Sequence, residues 1–400
     1  MEFTSEHRSF RKSIEEFVEK EMNPYADQWE EEGLFPAHEL FKKLGDLGAL
    51  GITRDPEYGG LGLDFSYSIV MAEALGKSLS GGVALAIGVQ TDMCTPALAN
   101  FGSDYLKRNY LAPSIAGDFV GCIGVSEPGA GSDVAAIRTT ARKDGDDYVI
   151  NGQKMWITNG TQADWMCMLA NTNDDPNVPP HKNKSLIIVP MDAPGVHVER
   201  KLEKMGMRSS DTALIFFDDV RVPQTHLVGP MEGLGFIQQM AQFQDERIWG
   251  AANTVAGLEE ALKVTTEYLR DRKTFGQALM DNQFIHFKIS ELSTEIQALK
   301  ALTYRAAGLH AKKGAMDFEV ARLASMAKFK SGRLSREVLD WCLQFHGGMG
   351  YMLETRINRM YRDVRLISIG GGADEIMLGI IAKLEGNLPS KKSSKKSSKA

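Results

Sequence analysis

Helical periodicity fills both ends of this chain and is missing from its middle, and that order restricts the fold more than any single motif. From Ser5 onward, Phe10, Ile14 and Val18 recur near every 3.6 residues with Glu and Lys between them, the pattern of an amphipathic helix. Tyr67 to Leu79 is a second helical stretch with Ile69, Met71, Ala72 and Leu75 on its apolar side, and the intervening P-E-Y-G-G-L-G-L reads as a turn cluster. Toward the other end, Ile285, Ile289, Leu292, Ile296, Leu299 and Leu302 form a stripe; Val320, Leu323 and Met326 start another helix, and Leu334 to Leu343 a third. Long helices with short connectors predict an antiparallel bundle. A doubly wound parallel sheet would alternate strand and helix throughout, so that class is excluded.

From about Gly121 the texture changes. D-Y-V-I-N-G-Q-K-M-W-I-T-N-G holds two runs of β-branched and aromatic residues parted by Asn151-Gly152, which predicts a hairpin turn at that dipeptide. Further strands are predicted at Asp164–Ala170, Leu186–Pro190 and Thr212–Val222, with Asn173–Lys184 and its three prolines as a surface loop. The resulting expectation is an α+β chain: an N-terminal helical domain over 1–120, a small antiparallel β domain over 121–235 and a C-terminal four-helix bundle over 236–388. The Lys/Ser tail at 389–400 has no apolar residue to pack and is expected to be disordered.

Composition removes several function classes. With 43% hydrophobic and 24% charged residues, neither wholesale disorder nor a fibrous repeat is possible. Lys and Arg total 46 against 52 Asp and Glu, a net charge of -6, which argues against a nucleic-acid coat. Five of those lysines lie in the last ten residues, so the rest is more acidic than the total. The four cysteines form no C-x-x-C pair and the histidines no H-E-x-x-H, so a reduced interior and no metal are expected. No apolar run approaches the ~18–20 residues of a membrane span. The N-terminus reads as neither a signal nor a transit peptide. Neither G-x-G-x-x-G nor the P-loop pattern occurs, and G-V-S-E-P fails as a nucleophile elbow because Pro128 replaces the second glycine.

Two neighbouring segments carry chemistry. S-E-P-G-A-G-S-D, Ser126 to Asp133, is a Gly-rich turn that lets backbone N–H groups approach a polar ligand, although an ordinary tight loop reads the same way. M-W-I-T-N-G sets Trp156 beside a Thr hydroxyl, an aromatic wall for a flat cofactor or a plain core residue. Together with D-E-R at Asp245–Arg247, R-K-T-F-G at Arg272–Gly276, Q-F-H-G-G-M-G-Y at Gln344–Tyr351 and R-D-V-R at Arg362–Arg365, these segments resemble the acyl-CoA dehydrogenase family of flavoproteins. The match runs from the first helices to about Leu388.

The resemblance implies FAD held between the β domain and the C-terminal bundle. Ser126 and Thr158, with Val125, Ile157 and Ser132, match positions around the flavin ring, and Trp156 the residue lying against it. Arg272, Thr274, Phe275 and Gln283 match the segment reaching the diphosphate and adenosine of a neighbouring subunit, joined by Gln344, Gly347 and Gly348. A guanidinium facing a diphosphate is a sound role for Arg272. Ala373 and Glu375 fall at further FAD positions, although Ala373-Asp374 replaces the usual Thr-Ser. Ser132, Asp245, Arg247, Gly371 and Gly372 match contacts to the substrate's thioester and pantetheine arm.

The implied reaction removes the α-proton of an acyl-CoA thioester and passes the β-hydride to flavin N5, giving the trans-2-enoyl-CoA. In most of the family the base is a Glu shortly after R-D-A, and here Gly371 stands at that position. A branch including isovaleryl-CoA and long-chain dehydrogenases carries the base on a C-terminal-domain helix instead, at the position of Glu246. Glycine at 371 keeps the N–H that meets the thioester oxygen. Gly370-Gly371-Gly372 is also expected to leave room beside the acyl carbons, for a branched or medium-to-long chain. The resemblance further implies electron-transferring flavoprotein as acceptor, a homotetramer built as a dimer of dimers, and a mitochondrial matrix or bacterial cytoplasm ahead of the peroxisome. Two other readings share the fold: an acyl-CoA oxidase or flavin monooxygenase, and a catalytically idle assembly protein.

Overall fold

The computed structural model describes residues 1–389; the tail expected to be disordered lies outside the described residues from 390 on. The first segment holds helices α1 (Ser5–Phe17), α2 (Ala26–Glu32), α3 (Ala37–Asp46), α4 (Phe65–Leu75), α5 (Gly81–Gly88), α6 (Thr95–Phe101), α7 (Asp104–Leu106) and α8 (Ala112–Ile115). α1 starts at a capping box, in which Thr4 Oγ1 accepts from the His7 N–H while the His7 ring faces the Thr4 N–H. α4 has no apolar side of the kind periodicity predicts, because every residue from Phe65 to Leu75 is buried. Its largely apolar composition lets neighbours pack on all faces, and its one charged residue, the buried Glu73, is met by Arg11 and the Tyr304 hydroxyl.

Strands follow at β1 (Gly121–Gly124), β2 (Thr140–Asp144), β3 (Asp147–Thr158), β4 (Trp165–Asn171), β5 (Lys184–Pro190), β6 (Val196–Lys201) and β7 (Thr212–Pro223). They form one sheet in the order β1-β4-β2-β3-β7-β6, with β5 also paired to β4. The predicted strands are all present, and the sheet is mainly antiparallel; the β1–β4 and β2–β4 pairings are parallel. The hairpin predicted at Asn151-Gly152 is not there. β3 runs straight through it, and the turn lies at Gly145-Asp146, where Asp144 pairs with Asp147 and Gly145 has φ +61°. Asn151-Gly152 is instead a bulge against β7. A Cβ on Gly152 would sit 2.7 Å from Thr139 Cα, and the Asn151 amide exchanges hydrogen bonds with Asp219 (2.8 and 3.0 Å). The dipeptide permits positive φ, and here the close approach of Thr139 used that freedom.

The third segment opens with α9 (Gly235–Asp271), whose first residue falls one position inside the expected β domain. After a two-stranded hairpin, β8 (Lys273–Thr274) and β9 (Gln277–Ala278), come α10 (Gln283–Lys313), α11 (Phe318–His346), α12 (Gly348–Tyr351), α13 (Arg356–Val364) and α14 (Asp374–Leu384). The two helices expected between Val320 and Leu343 are one, because nothing between them breaks a helix and Gly332 packs against Ser368. Ile69, Met71 and Leu75 of α4 share one core with Trp249 of α9, Ala306 of α10 and Leu323 of α11. The outer segments are thus a single helical body, and the sheet packs against it through a second core in which Leu98, Leu106 and Leu111 meet Trp165, Leu169 and Ile188.

Candidate functional site

The sequence-predicted residues gather into three groups. In the first, Val125 and Ser126 leave the end of β1 and lie against β3, where the Met155 N–H donates to the Ser126 carbonyl (3.0 Å). Trp156 follows at φ +63° and remains 53% exposed. A bulky aromatic in left-handed backbone is strained, and such strain gathers where geometry serves function. A register shift between Met155 and Ile157 turns the indole out of the sheet, toward the Gly131 turn. Ile157 itself points into the sheet core and offers only backbone; Thr158 closes the strand, and Ser132 is exposed in the turn.

Sequence reasoning passed over what fixes this group. Lys154 is fully buried, and its Nζ donates to the Val125 carbonyl (3.1 Å), the Leu169 carbonyl (2.8 Å) and Glu127 Oε1 (2.9 Å). Glu127 also accepts from the N–H groups of Arg138 (2.6 Å) and Thr139 (2.9 Å). Burial opposes its charge, but Lys154 and these donors prevail and hold its carboxyl below the usual range. Burial brings Lys154 down to about 8. The signal lay in the strand alternation, which put Lys154 on the inward face with Ile150.

The second group surrounds Glu246, in the first third of α9. A Cβ built on Gly371, whose φ is +63°, would lie 2.7 Å from Glu246 Oε1. The carboxylate therefore fills the volume that a side chain at 371 would otherwise occupy. The room expected from the glycine triplet is largely absent: Glu246 takes it at Gly371, and Met377 Cε lies 2.4 Å from the corresponding point on Gly372. Glu246 accepts no hydrogen bond among the described residues, and burial pushes its carboxyl up against the opposing charges of Arg247 and Lys328. Arg247 is buried, bonded to Gln244 Oε1 (3.2 Å), poised over the Phe243 ring, and lowered by burial to about 10. Phe243 packs on the cluster containing Val125 and Ala130, so this group adjoins the first. The Asp245 carboxylate is engaged elsewhere, 2.6 Å from His310 Nε2. Ala373 caps α14, and Glu375 is exposed in its first turn.

The third group lies at the far end of the bundle. Arg272 ends α9 and Thr274-Phe275 forms the hairpin tip, with Phe275 fully exposed at φ +51°. Gln283 opens α10. Its neighbours Asn282 and Phe284 face Trp341 and Gln344 of α11 across a groove of about 320 Å³. Stacking of Tyr268 on His346 (4.3 Å) ties the hairpin to the Gly347-Gly348 turn.

This arrangement recurs in known proteins. Family models for the acyl-CoA dehydrogenase N-terminal, middle and C-terminal domains match residues 4–118, 122–220 and 233–385. The long-chain specific acyl-CoA dehydrogenase of Sus scrofa is 37% identical over 95% of this chain and 86% of its own length. The chain belongs to the acyl-CoA dehydrogenase family. The short-chain specific enzyme of Bos taurus is 35% identical, covering 96% and 90%. The acyl-CoA dehydrogenase of Geobacillus kaustophilus superposes with a TM-score of 0.91 at 37% identity, covering 96% of this chain and 99% of that one.

FAD is the cofactor of acyl-CoA dehydrogenases. The residues here fit it: a Cβ on Gly129, Gly347 or Gly348 would meet nothing within 4 Å, so the turn and the bundle end stand open. Trp156 is half-exposed, and the exposed Arg272 forms no ion pair among the described residues. Among these residues no cluster could hold a metal, and no helix is long and apolar enough to cross a membrane.

Proposed function

We propose that this chain is an acyl-CoA dehydrogenase whose base is Glu246. The observation carrying this reading is the 2.7 Å approach of Glu246 Oε1 to the missing Cβ of Gly371, which brings a carboxylate from α9 into the space beside that glycine. A carboxylate without hydrogen bonds and raised by burial has the proton affinity that α-proton abstraction needs. The Gly371 N–H is the donor for the thioester oxygen, polarising the carbonyl so that the α-proton becomes acidic enough to take. Arg247, set over the Phe243 ring, and the Ser132 turn hold the pantetheine arm. Bound FAD supplies the acceptor for the β-hydride, with Val125, Ser126, Trp156 and Thr158 holding the ring and Arg272, Thr274, Phe275, Gln283, Gln344, Gly347 and Gly348 the remainder across a subunit boundary. Electron-transferring flavoprotein is the proposed oxidant, and a dimer of dimers the proposed assembly. The bare Phe275 and the exposed Phe284 and Phe287 support a second copy at that end of the bundle.

For the acyl chain, the proposed class is medium-to-long or branched. Its support is the likeness to the long-chain specific relative, narrowly ahead of the short-chain one. Anaerobic titration with an acyl-CoA panel, read by flavin absorbance, tests both parts. Prompt bleaching with an intact Glu246 and bleaching slowed by orders of magnitude in Glu246→Gln are expected; a parental rate in Glu246→Gln removes the base assignment. Equal kcat/KM for butyryl-CoA and every longer or branched chain removes the chain class.

A further inference from the structure

Lys328 belongs to none of the predicted groups, yet α11 delivers it to the back of the Gly371 turn. Only 5% exposed, it donates from Nζ to the carbonyls of Ile367 and Gly372 (3.2 Å to the latter), which lie on either side of Gly371. Its Cε lies 3.4 Å from the point where a Gly371 Cβ would be, the same point that Glu246 Oε1 approaches to 2.7 Å. Cε and Oε1 are therefore about 6 Å apart at most, and the opposite charge of the lysine acts to favour the ionised carboxylate. They form no direct ion pair, so the carboxylate keeps its lone pairs free.

We propose that Lys328 is a positioning residue for the reaction of Glu246: it clamps the turn that carries the Gly371 N–H and sets the charge state of the base through space. The inference rests on Glu246 being the base. Clamping two carbonyls requires only neutral donors, whereas a buried ammonium is costly unless a negative charge faces it. Burial brings Lys328 down to about 8, with Glu246 and Asp374 opposing. Asp374, on α14, is already met by Arg333 (2.9 Å) and Arg336 (3.3 Å). Among the described residues Glu246 is the facing carboxylate with no hydrogen-bond or ion-pair partner, and the charges facing it are Arg247 on its own helix and Lys328 from α11.

The sign follows. Removing the Lys328 charge raises the Glu246 pKa further, so less of the base is ionised at a given pH. The acid limb of kcat/KM should therefore move up by about one pH unit in Lys328→Met. Lys328→Arg, which keeps the charge and the donors, should return the limb to within a few tenths of the parental position. A second readout does not need turnover: pH-difference infrared spectroscopy follows the protonated carboxyl of Glu246, assigned by its loss in Glu246→Gln, and the same displacement is expected there. An unmoved limb and an unmoved carboxyl in folded, FAD-loaded Lys328→Met overturn the inference. If that variant fails to fold or to retain FAD, Lys328→Gln carries the same expectation and the same refutation, keeping a donor without the charge. Parental activity in Glu246→Gln is a separate outcome, which removes the base reading first and this inference with it.

Discussion

Glu127 and Glu246 each lie near a buried lysine, Lys154 in one case and Lys328 in the other, and their carboxyls shift in opposite directions. Glu127 accepts from Lys154 and from two backbone N–H groups, and it is held below the usual range. Glu246 accepts from nothing among the described residues and is pushed up, although Lys328 and Arg247 both face it. Proximity of opposite charge is common to the two sites; hydrogen bonds to the ionised form are not. The first pair is spent on structure, joining the Ser126 turn to β3. The second is left with proton affinity to use on a ligand.

The comparison can be broken by substitution. Glu246→Gln should lower the rate of flavin reduction by about 10²–10⁴-fold, with FAD bound and the melting temperature no lower than the parent's. Lys154→Met should do the reverse. Leaving Glu127 buried without its partner costs about 3–5 kcal/mol in denaturant unfolding, while whatever folds should keep the parental acid limb of kcat/KM. If Lys154→Met moves that limb and leaves stability alone, the two pairs are not different in kind. Gly371→Ala places a methyl 2.7 Å from Glu246 Oε1 at a positive φ. Displacing the base by about 1 Å should cost on the order of 10²-fold in kcat/KM, measured against a Gly370→Ala control. The smallest effect is in pH dependence of stability. The folded-state pKa of Glu127 is depressed, so its contribution is fully present above the unfolded value of ~4.3 and is lost as pH falls through the folded value. Unfolding in urea at stepped acid pH should show this loss in the parent and a flatter profile in Glu127→Gln.

Much of this was legible before any coordinates. Apolar runs bounded by Pro, Asn or Asp marked β4, β5 and β7, and the 3.6-residue stripe marked α10. Asn151-Gly152 misled because positive φ serves a bulge as well as a turn, and only the strand opposite decides between them. The order β1-β4-β2-β3-β7-β6 has no local signal, since pairing partners are set by which apolar faces meet. At the site, motif resemblance and the glycine at 371 pointed to Glu246, whereas the actual filling of the vacated space required three dimensions. Lys328 reads as a solvent-facing helix residue until its surroundings are noticed. Ser325, Ala327, Ser331 and Gly332 are small and buried, a helix face that neighbours approach closely, and a lysine on it has no water to reach.

The shared core of α4 with α9, α10 and α11 has a consequence for how the chain is made. α4 leaves the ribosome largely apolar; α1 is already made, but its other partners in the core, on α9, α10 and α11, lie some 180–250 residues downstream, beyond the entire sheet. The sheet can close on its own contacts while it waits; the helical body cannot. Folding of that body is a high-contact-order event, slow by nature and exposed to aggregation until the last third emerges. Truncation after the sheet should therefore leave a chain dependent on chaperones, with an ordered β unit and an unfinished helical body.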